Sequence, residues 1–198
     1  MKYKLTEETR EVGGFTLHRI EALKDFSDVK KGEKGGWVEK EDNLSQLGNC
    51  WVYDNACVFA NAKVYRNAKV CGNAKVYDKA FVFGNAKVFG NACVHGNTGV
   101  FDNAKVCGDA VLSVDGNIHG DAEICSNADY IVFKNWWSSG RYFIWTRSNN
   151  MWSVGCFYGT GEELIAKAYK DSELSGREYK RVVDYVKSIL IDEKGGNI

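Results

Sequence analysis

Residues 82–99 read VFGNAKVFGNACVHGNTG, three six-residue units that each begin with valine and place asparagine and then a small residue at positions four and five. The spacing continues in both directions without a slip. Its aliphatic positions are Val52, Val58, Val64, Val70, Val76, Val82, Val88, Val94, Val100, Val106, Leu112, Ile118 and Ile124. A period of six does not fit the twofold alternation of a β-sandwich strand, and tandem short hairpins are the remaining alternative.

Each unit predicts a strand of about three residues in which the aliphatic side chain points inward and its two neighbours point outward. Asn and Gly tolerate positive φ and supply the bend, while the small residue fits the corner. Three units then make one triangular coil of 18 residues, and coils stack at the usual strand spacing of about 4.8 Å. The sequence therefore predicts a parallel β-helix over residues 52–129.

This repeat resembles the hexapeptide-repeat left-handed β-helix family, known from trimeric acyltransferases and the γ-class carbonic anhydrases. A second resemblance is carried by GGWVE at 35–39, LSQ at 44–46, GNCWVYDNA at 48–56 and GCFYGTGEEL at 155–164. These blocks look like those of a poorly characterised group of phage and prophage hexapeptide-repeat proteins. The resemblance implies a bacterial-virus setting, and it supplies no reaction or catalytic residue.

The fold class expected is mainly β, with the left-handed β-helix between two different ends. Residues 1–51 predict a β-hairpin cap around Gly13-Gly14 and an irregular first coil containing Trp37-Val38-Glu39. Residues 130–198 predict an α+β domain of three antiparallel strands and two helices. Thr160 and Glu163 have the spacing of a helix capping box, and the second helix is expected from about Gly176 to Asp192.

The composition gives no reason to expect a nucleic acid or membrane partner. Twenty-six basic residues balance 26 acidic ones, so charge alone would not attract DNA, RNA or an anionic membrane. No apolar run approaches a membrane span and no signal peptide is recognised, so we expect a soluble protein of the host-cell cytoplasm. Seven cysteines without short metal-binding spacing are interpreted as reduced thiols, and no metal or cofactor is expected.

The histidines do not indicate a catalytic centre, so a non-enzymatic protein is favoured and an enzyme stays open as the alternative. Hexapeptide acyltransferases normally have an extruded loop that interrupts the coils, and this repeat has no such loop. A γ-class carbonic anhydrase needs three converging histidines, whereas the repeat has His95 and His119, which are 24 residues apart and belong to different faces. Both are interpreted as ordinary surface residues.

An 18-residue period sorts the outward side chains into three faces. The third face carries an aromatic column that we expect to form the interface of a homo-oligomer, a trimer being favoured; plain stacking between coils is the alternative. Its residues are Tyr65, Phe81, Phe83 and Phe101. The first face carries Lys69, Lys87 and Lys105, interpreted as a solvated column or an anion-binding stripe.

The C-terminal segment carries the recognition residues that we expect to bind a bacterial protein or a small anionic ligand. They are Trp136, Trp137, Arg141, Trp145, Arg147 and Trp152. Arg141, Phe143, Trp145 and Arg147 would share an outward face, with Tyr142 and Ile144 packed under the helices. The leading hypothesis is a non-catalytic, oligomeric phage protein that displays these domains. The alternatives are an anti-defence protein that sequesters a nucleotide signal or inhibits bacterial immunity, and a hexapeptide-type acyltransferase.

Overall fold

The computed structural model describes residues 1–195, and the side chains of residues 1–190. Its centre is a left-handed parallel β-helix with three faces. The first face contains β4 (Trp51–Val52), β7 (Lys69–Val70), β10 (Lys87–Val88), β13 (Lys105–Val106) and β16 (Glu123–Ile124). The second contains β5 (Cys57–Val58), β8 (Lys75–Val76), β11 (Cys93–His95) and β14 (Val111–Ser113). The third contains β6 (Lys63–Val64), β9 (Phe81–Val82), β12 (Gly99–Val100) and β15 (Asn117–Ile118).

Strands on each face pair in parallel with the strand 18 residues away, so Val70, Val88 and Val106 lie directly above one another. The aliphatic residue of every unit is fully or almost fully buried in one continuous core, together with the corner alanines from Ala56 to Ala110 and Ala122. The predicted hexapeptide β-helix is therefore confirmed. Gly84 shows why the bends use glycine, since its φ is +69° and a Cβ there would lie 2.9 Å from the backbone nitrogen of Asp102.

Asparagine ladders join the bends of neighbouring coils. Within a ladder, each asparagine donates its side-chain amide to the side-chain oxygen 18 residues later, and the longest ladder runs through Asn49, Asn67, Asn85, Asn103 and Asp121. Two shorter ladders end at Asp109 and Asp115. Asparagine both donates and accepts, but an ionised aspartate only accepts. Aspartate therefore fits the last position of a ladder.

Asn103→Asp should lower the free energy of unfolding by about 1 kcal/mol at pH 7, because it replaces the donor to Asp121 with a like charge. Urea denaturation at pH 7 measures the loss. Asp121→Asn is the matched control, since it keeps an acceptor at the same position and should leave stability almost unchanged. Equal stability of Asn103→Asp and the unmodified protein at pH 7 would contradict the ladder's role.

The N-terminal cap is a hairpin of β1 (Tyr3–Val12) and β2 (Phe15–Ala22), followed by β3 (Lys34–Val38). The third strand pairs antiparallel with β2 and parallel with β5, so it extends the second face. Val38 lies opposite Val58, and Leu44 forms a bridge to Val64, so these two residues continue the stacking of the coils toward the N-terminus. Tyr3 closes this end by donating its hydroxyl to the Leu44 carbonyl at 2.6 Å.

Buried Lys2 lies under the cap and donates its ammonium group to the carbonyl of Cys50 at 2.8 Å. Burial lowers the pKa of this lysine. Asp28 ties the loop between β2 and β3 to the first face through Lys69, at 2.8 Å, and this hydrogen bond holds the pKa of the Asp28 carboxyl down at about 2. The end of the solenoid is thus covered by both apolar and charged contacts.

The C-terminal domain has a four-stranded antiparallel sheet and two helices. The strands are β17 (Tyr130–Lys134), β18 (Tyr142–Thr146), β19 (Met151–Val154) and β20 (Phe157–Gly159), and the helices are α1 (Gly161–Asp171) and α2 (Glu173–Gly195). The capping box of Thr160 and Glu163 is present at α1. Residues 196–198, which the sequence assigned to this domain, lie outside the described residues.

Two predictions about this sheet were wrong. There are four strands instead of three, because Gly155, with φ +58°, makes a tight turn that pairs Val154 with Phe157. The side of the sheet that faces the helices is also the opposite of the one predicted. Phe143 and Trp145 pack under the helices, whereas Ile144 packs onto the end of the β-helix. Both sides of the sheet are therefore covered.

The expectation of seven reduced thiols was wrong for two of them, because Cys107 and Cys125 form a disulfide. They occupy the same position on adjacent coils, which brings their side chains together. Cys50, Cys57, Cys71, Cys93 and Cys156 are free. Within residues 1–195, no helix is both long enough and apolar enough to cross a membrane.

Candidate functional site

A continuous stack of rings runs along the third face and continues into the C-terminal domain. Tyr65 stacks on Phe83, Phe83 on Phe101, and Phe101 on His119, with centroids 4.8, 4.6 and 4.7 Å apart. Tyr158, on β20, then lies 4.3 Å from the His119 ring. The imidazole is therefore held between a coil of the β-helix and a strand of the attached domain.

His119 lies between a carboxylate and a hydroxyl group. Its Nε2 is 3.0 Å from Oγ of Ser153, and its Nδ1 is 3.7 Å from Oδ2 of Asp102. Only 11% of the His119 side chain is exposed, so the interpretation of this residue as an ordinary surface histidine was wrong. Tyr158 and the sheet cover it, and neither contact follows from the repeat.

Burial is the largest influence on His119 and lowers its pKa, while the nearby Asp102 carboxylate opposes the shift. The imidazole is then neutral at physiological pH. With its proton on Nδ1, toward Asp102, the free Nε2 accepts the Ser153 hydroxyl proton. Asp102 is too far for a direct hydrogen bond, so it acts on the ring through its charge.

Strand β19 places Ser153 beside the His119 ring. Its neighbour Trp152 points into the core under the helices, so the alternation of the strand turns Ser153 toward the β-helix. Close contact between the two parts is also built in at Gly120, where a Cβ would lie 2.1 Å from the Tyr158 hydroxyl. The Tyr158 hydroxyl accepts a hydrogen bond from Asn149 at 3.0 Å.

Ser153 lines a cavity of about 490 Å³ between the last coils and the C-terminal sheet, which we call the junction cleft. Its lining residues are Asn97, Asp115, Gly116, Asn117, Gly140, Arg141, Tyr142, Ser153 and Gly155. A neighbouring cavity of about 310 Å³ shares Asn97, Asp115 and Tyr142 with it. The cleft thus offers one guanidinium group and one carboxylate beside the hydroxyl that contacts His119.

His95 repeats half of this arrangement on the second face, where it stacks on Tyr77 at 4.7 Å. Its Nδ1 is 3.5 Å from Oδ2 of Asp78, and Gly96 donates to the same carboxylate just as Gly120 donates to Asp102. Among the described residues, no serine hydroxyl forms a hydrogen bond with the His95 ring as that of Ser153 does with His119. The two histidines lie on different faces, as predicted, and His95 is a natural control for His119.

The predicted recognition residues of the C-terminal segment are not brought together on one surface. Trp145 and Trp152 are 1% and 2% exposed in the core under the helices, and Trp137 packs against that core. Trp136 is 77% exposed, and Arg141 lines the junction cleft. Arg147 donates its Nε to the Ala128 carbonyl at 3.2 Å. A shared binding role for these six residues stays a prediction.

The two columns predicted on the β-helix are present. On the third face, Phe81 is 40% exposed beside the stacked rings of Tyr65, Phe83 and Phe101, and the oligomer interface proposed there stays a prediction. On the first face, Lys69 pairs with Asp28 and Lys105 pairs with Glu123 at 3.2 Å. These ion pairs offset two of the three charges in the proposed anion stripe.

The sequence is similar to known proteins over only part of its length. No family model matches the chain. An uncharacterised acetyltransferase, YdcK of Escherichia coli strain K12, is 40% identical over 65 residues, a match that covers 29% of this chain and 20% of that protein. The fold is that of the hexapeptide-repeat β-helix proteins. The chain spans about a fifth of the length of the curated relative it matches.

Proposed function

We propose that this hexapeptide-repeat protein catalyses acyl transfer in the junction cleft, with His119 as general base and Ser153 as nucleophile. The observation that carries the proposal is the 3.0 Å contact between Nε2 of a buried imidazole and Oγ of Ser153, with Asp102 on the opposite side of the ring. A nucleophile, a base and a group that orients the base are the elements required to activate a hydroxyl group.

The reaction proceeds in two steps. In the first, Nε2 of His119 takes the Ser153 proton while Oγ attacks the acyl carbonyl, and the imidazolium then protonates the leaving thiol or alcohol. In the second, His119 takes a proton from an acceptor hydroxyl, amine or water, which attacks the acyl-serine. Ser153 leaves with the proton held by the imidazolium. The charge of Asp102 favours the imidazolium formed in both steps.

The partial likeness to a protein described as an acetyltransferase supports the reaction class. The cleft supports it as well, because its volume accommodates a small acyl group and acceptor, and Arg141 provides a cation for an anionic donor.

The experiment uses the full chain incubated with an activated acetyl ester and, separately, with an acetyl thioester. Intact-mass and peptide mass spectrometry should find one added acetyl group on Ser153. Ser153→Ala should remove this adduct, and His119→Gln should slow its formation strongly. Labelling elsewhere with Ser153 unmodified would overturn the proposal.

His95→Gln is the matched control, because His95 also stacks on an aromatic ring and has a carboxylate at a similar distance but lacks the serine hydrogen bond. It should leave the rate of acetylation unchanged. Equal slowing by His95→Gln and His119→Gln would show that the histidines stabilise the coils and do not activate Ser153. Circular dichroism before and after the assay identifies any variant that fails to fold.

A non-catalytic binding role is the second candidate, and one observation favours it. A groove of about 470 Å³ between the sheet and the helices contains Arg141 and Lys167, which suit a small anionic ligand. A phage protein and an anti-defence protein are two more specific forms of this candidate.

We expect nucleotides or inorganic phosphate to raise the melting temperature of the protein, and Arg141→Ala to weaken the binding of these anions by about 1–3 kcal/mol. No shift with any of these anions would exclude this candidate.

The oligomer proposed on the third face is tested by light scattering at micromolar concentration. We expect a mass of several chains, a trimer being favoured, and the double variant Phe83→Lys, Phe101→Lys should give the monomer mass of 22.1 kDa with the β-helix still folded. Lys63→Ala, an exposed change on the same face, is the control and should leave the assembly intact. A monomer of the unmodified protein would refute the interface.

A further inference from the structure

Three metal-ligating side chains meet on the first face at the last two coils. Cys107 and Cys125 are bonded to each other, and Oε1 of Glu123 lies 3.9 Å from Sγ of Cys125. One ligand atom from each of the three residues lies within 4.8 Å of the other two. Neither the composition nor the proposed acyl transfer assigns any role to this cluster.

The repeat fixes the positions from which these side chains project. Lys105 pairs with Glu123 and Val106 with Ile124 in the parallel ladder, and the two cysteines follow directly. The Cys107 backbone donates to Ile124 at 2.8 Å, and the Cys125 backbone donates to the Asp129 carboxylate at 2.8 Å. Because the backbone is held on both sides, the two sulfur atoms remain neighbours when the disulfide is reduced.

Glu123 is already oriented for a ligand role. Its Oε2 takes the ammonium group of Lys105 at 3.2 Å, which leaves Oε1 on the side of Cys125. The positive charge of Lys105 also offsets part of the repulsion among two thiolates and a carboxylate. Cys107 is almost fully buried and Cys125 is half-buried, so an ion would enter from the Cys125 side.

We propose that the reduced pair, together with Glu123, forms a binding site for a thiophilic divalent ion of the zinc type. Two thiolates and one carboxylate make three protein ligands, and water completes a tetrahedron. In the disulfide state neither sulfur is a thiolate, so the site binds metal only after reduction. Metal binding and oxidation therefore exclude each other.

The redox step balances with a small thiol as the reductant. Two thiol molecules transfer two electrons and two protons to the Cys107–Cys125 bond, which gives two cysteine thiols and one small-molecule disulfide. The divalent ion then displaces the two thiol protons. Oxidation by a small-molecule disulfide runs in the opposite direction and releases the ion.

Cobalt(II) titration of the full, tag-free chain tests the site, because cobalt bound by thiolates absorbs in the near ultraviolet. Reduced protein, freed of reductant under argon, should bind one cobalt ion per chain and release it when zinc is added. The oxidised protein should show no such absorption. This comparison needs no variant, so it remains decisive even where a substitution impairs folding.

Substitutions then assign the ligands. Cys125→Ser should remove the absorption, and Glu123→Gln should weaken cobalt binding at least tenfold. Cys93→Ser is the matched control, since Cys93 is a free, partly buried cysteine on the second face, and it should leave the titration unchanged. Absorption equal in the oxidised and reduced protein, or unaffected by Cys125→Ser, would overturn the site.

Discussion

Trp152→Ala should lower the free energy of unfolding of the C-terminal domain by about 3–5 kcal/mol, the usual loss for deleting a large buried aromatic side chain. Trp152 is 2% exposed, and its ring centroid lies 6.1 Å from those of Phe133 and Phe143. Gly161, at the start of α1, approaches its indole so closely that a Cβ would lie 3.2 Å from Nε1. Truncation therefore leaves a cavity where the sheet meets both helices.

Urea denaturation followed by helical circular dichroism measures this loss, because both helices lie in this domain. The β-helix should remain folded, since its core is a separate cluster to which the C-terminal sheet contributes Ile144 as its buried residue. Trp136→Ala is the matched control. At 77% exposure, that tryptophan should contribute no more than about 0.5 kcal/mol.

The opposite result, a loss of binding without a loss of stability, would support the predicted recognition role of Trp152. If Trp152→Ala unfolded at the same urea concentration as the unmodified protein but lost binding to an anionic ligand, its burial would not reflect a structural contribution. The comparison therefore separates core from binding surface for a residue that composition alone cannot assign.

The β-helix could be predicted in detail because its determinants are local and repeated. Each unit carries its own inward aliphatic residue, small corner residue and bend, so thirteen units support one interpretation. The same locality made the N-terminal hairpin at Gly13-Gly14 and the capping box of Thr160 predictable. Each of these features depends on residues only a few positions apart.

The orientation of the C-terminal sheet could not be obtained in this way. Alternation divides β18 into two sides, but it does not say which side faces the helices. Phe143 and Ile144 are both apolar because one side packs under helices and the other packs on the end of the β-helix. When both faces are buried, the polar face that normally settles the question is missing.

For a related reason, the candidate site could be predicted only in part from the sequence. The 18-residue period places Gly120 directly above Asp102, so the nearness of His119 to that carboxylate follows from the repeat. Ser153 and Tyr158 come from another domain, 34 and 39 positions further along the chain. No periodicity reports how that domain docks, and the docking turns a surface histidine into a buried one.

His119→Gln should lower the rate of Ser153 acetylation by about 10²–10⁴-fold, the usual contribution of a general base. In the unmodified protein, the rate should be constant above neutrality and fall as the pH drops through the His119 pKa, which burial places below the ordinary histidine value. His95→Gln should reproduce the unmodified profile. Asp102→Asn should give a smaller loss than His119→Gln, because the carboxylate acts on the ring at 3.7 Å and does not take the proton.

Stability should depend on the same group. Since the pKa of His119 is lower in the folded protein than in the unfolded chain, the unfolded chain binds more protons as the pH falls below about 6.5. The favourable contribution of the neutral ring is present above that pH and is lost through the window down to the folded pKa. His119→Gln should therefore flatten the fall in unfolding free energy between pH 7 and pH 5. Urea denaturation across this range measures the slope, and an unchanged slope in His119→Gln would refute a neutral, buried His119.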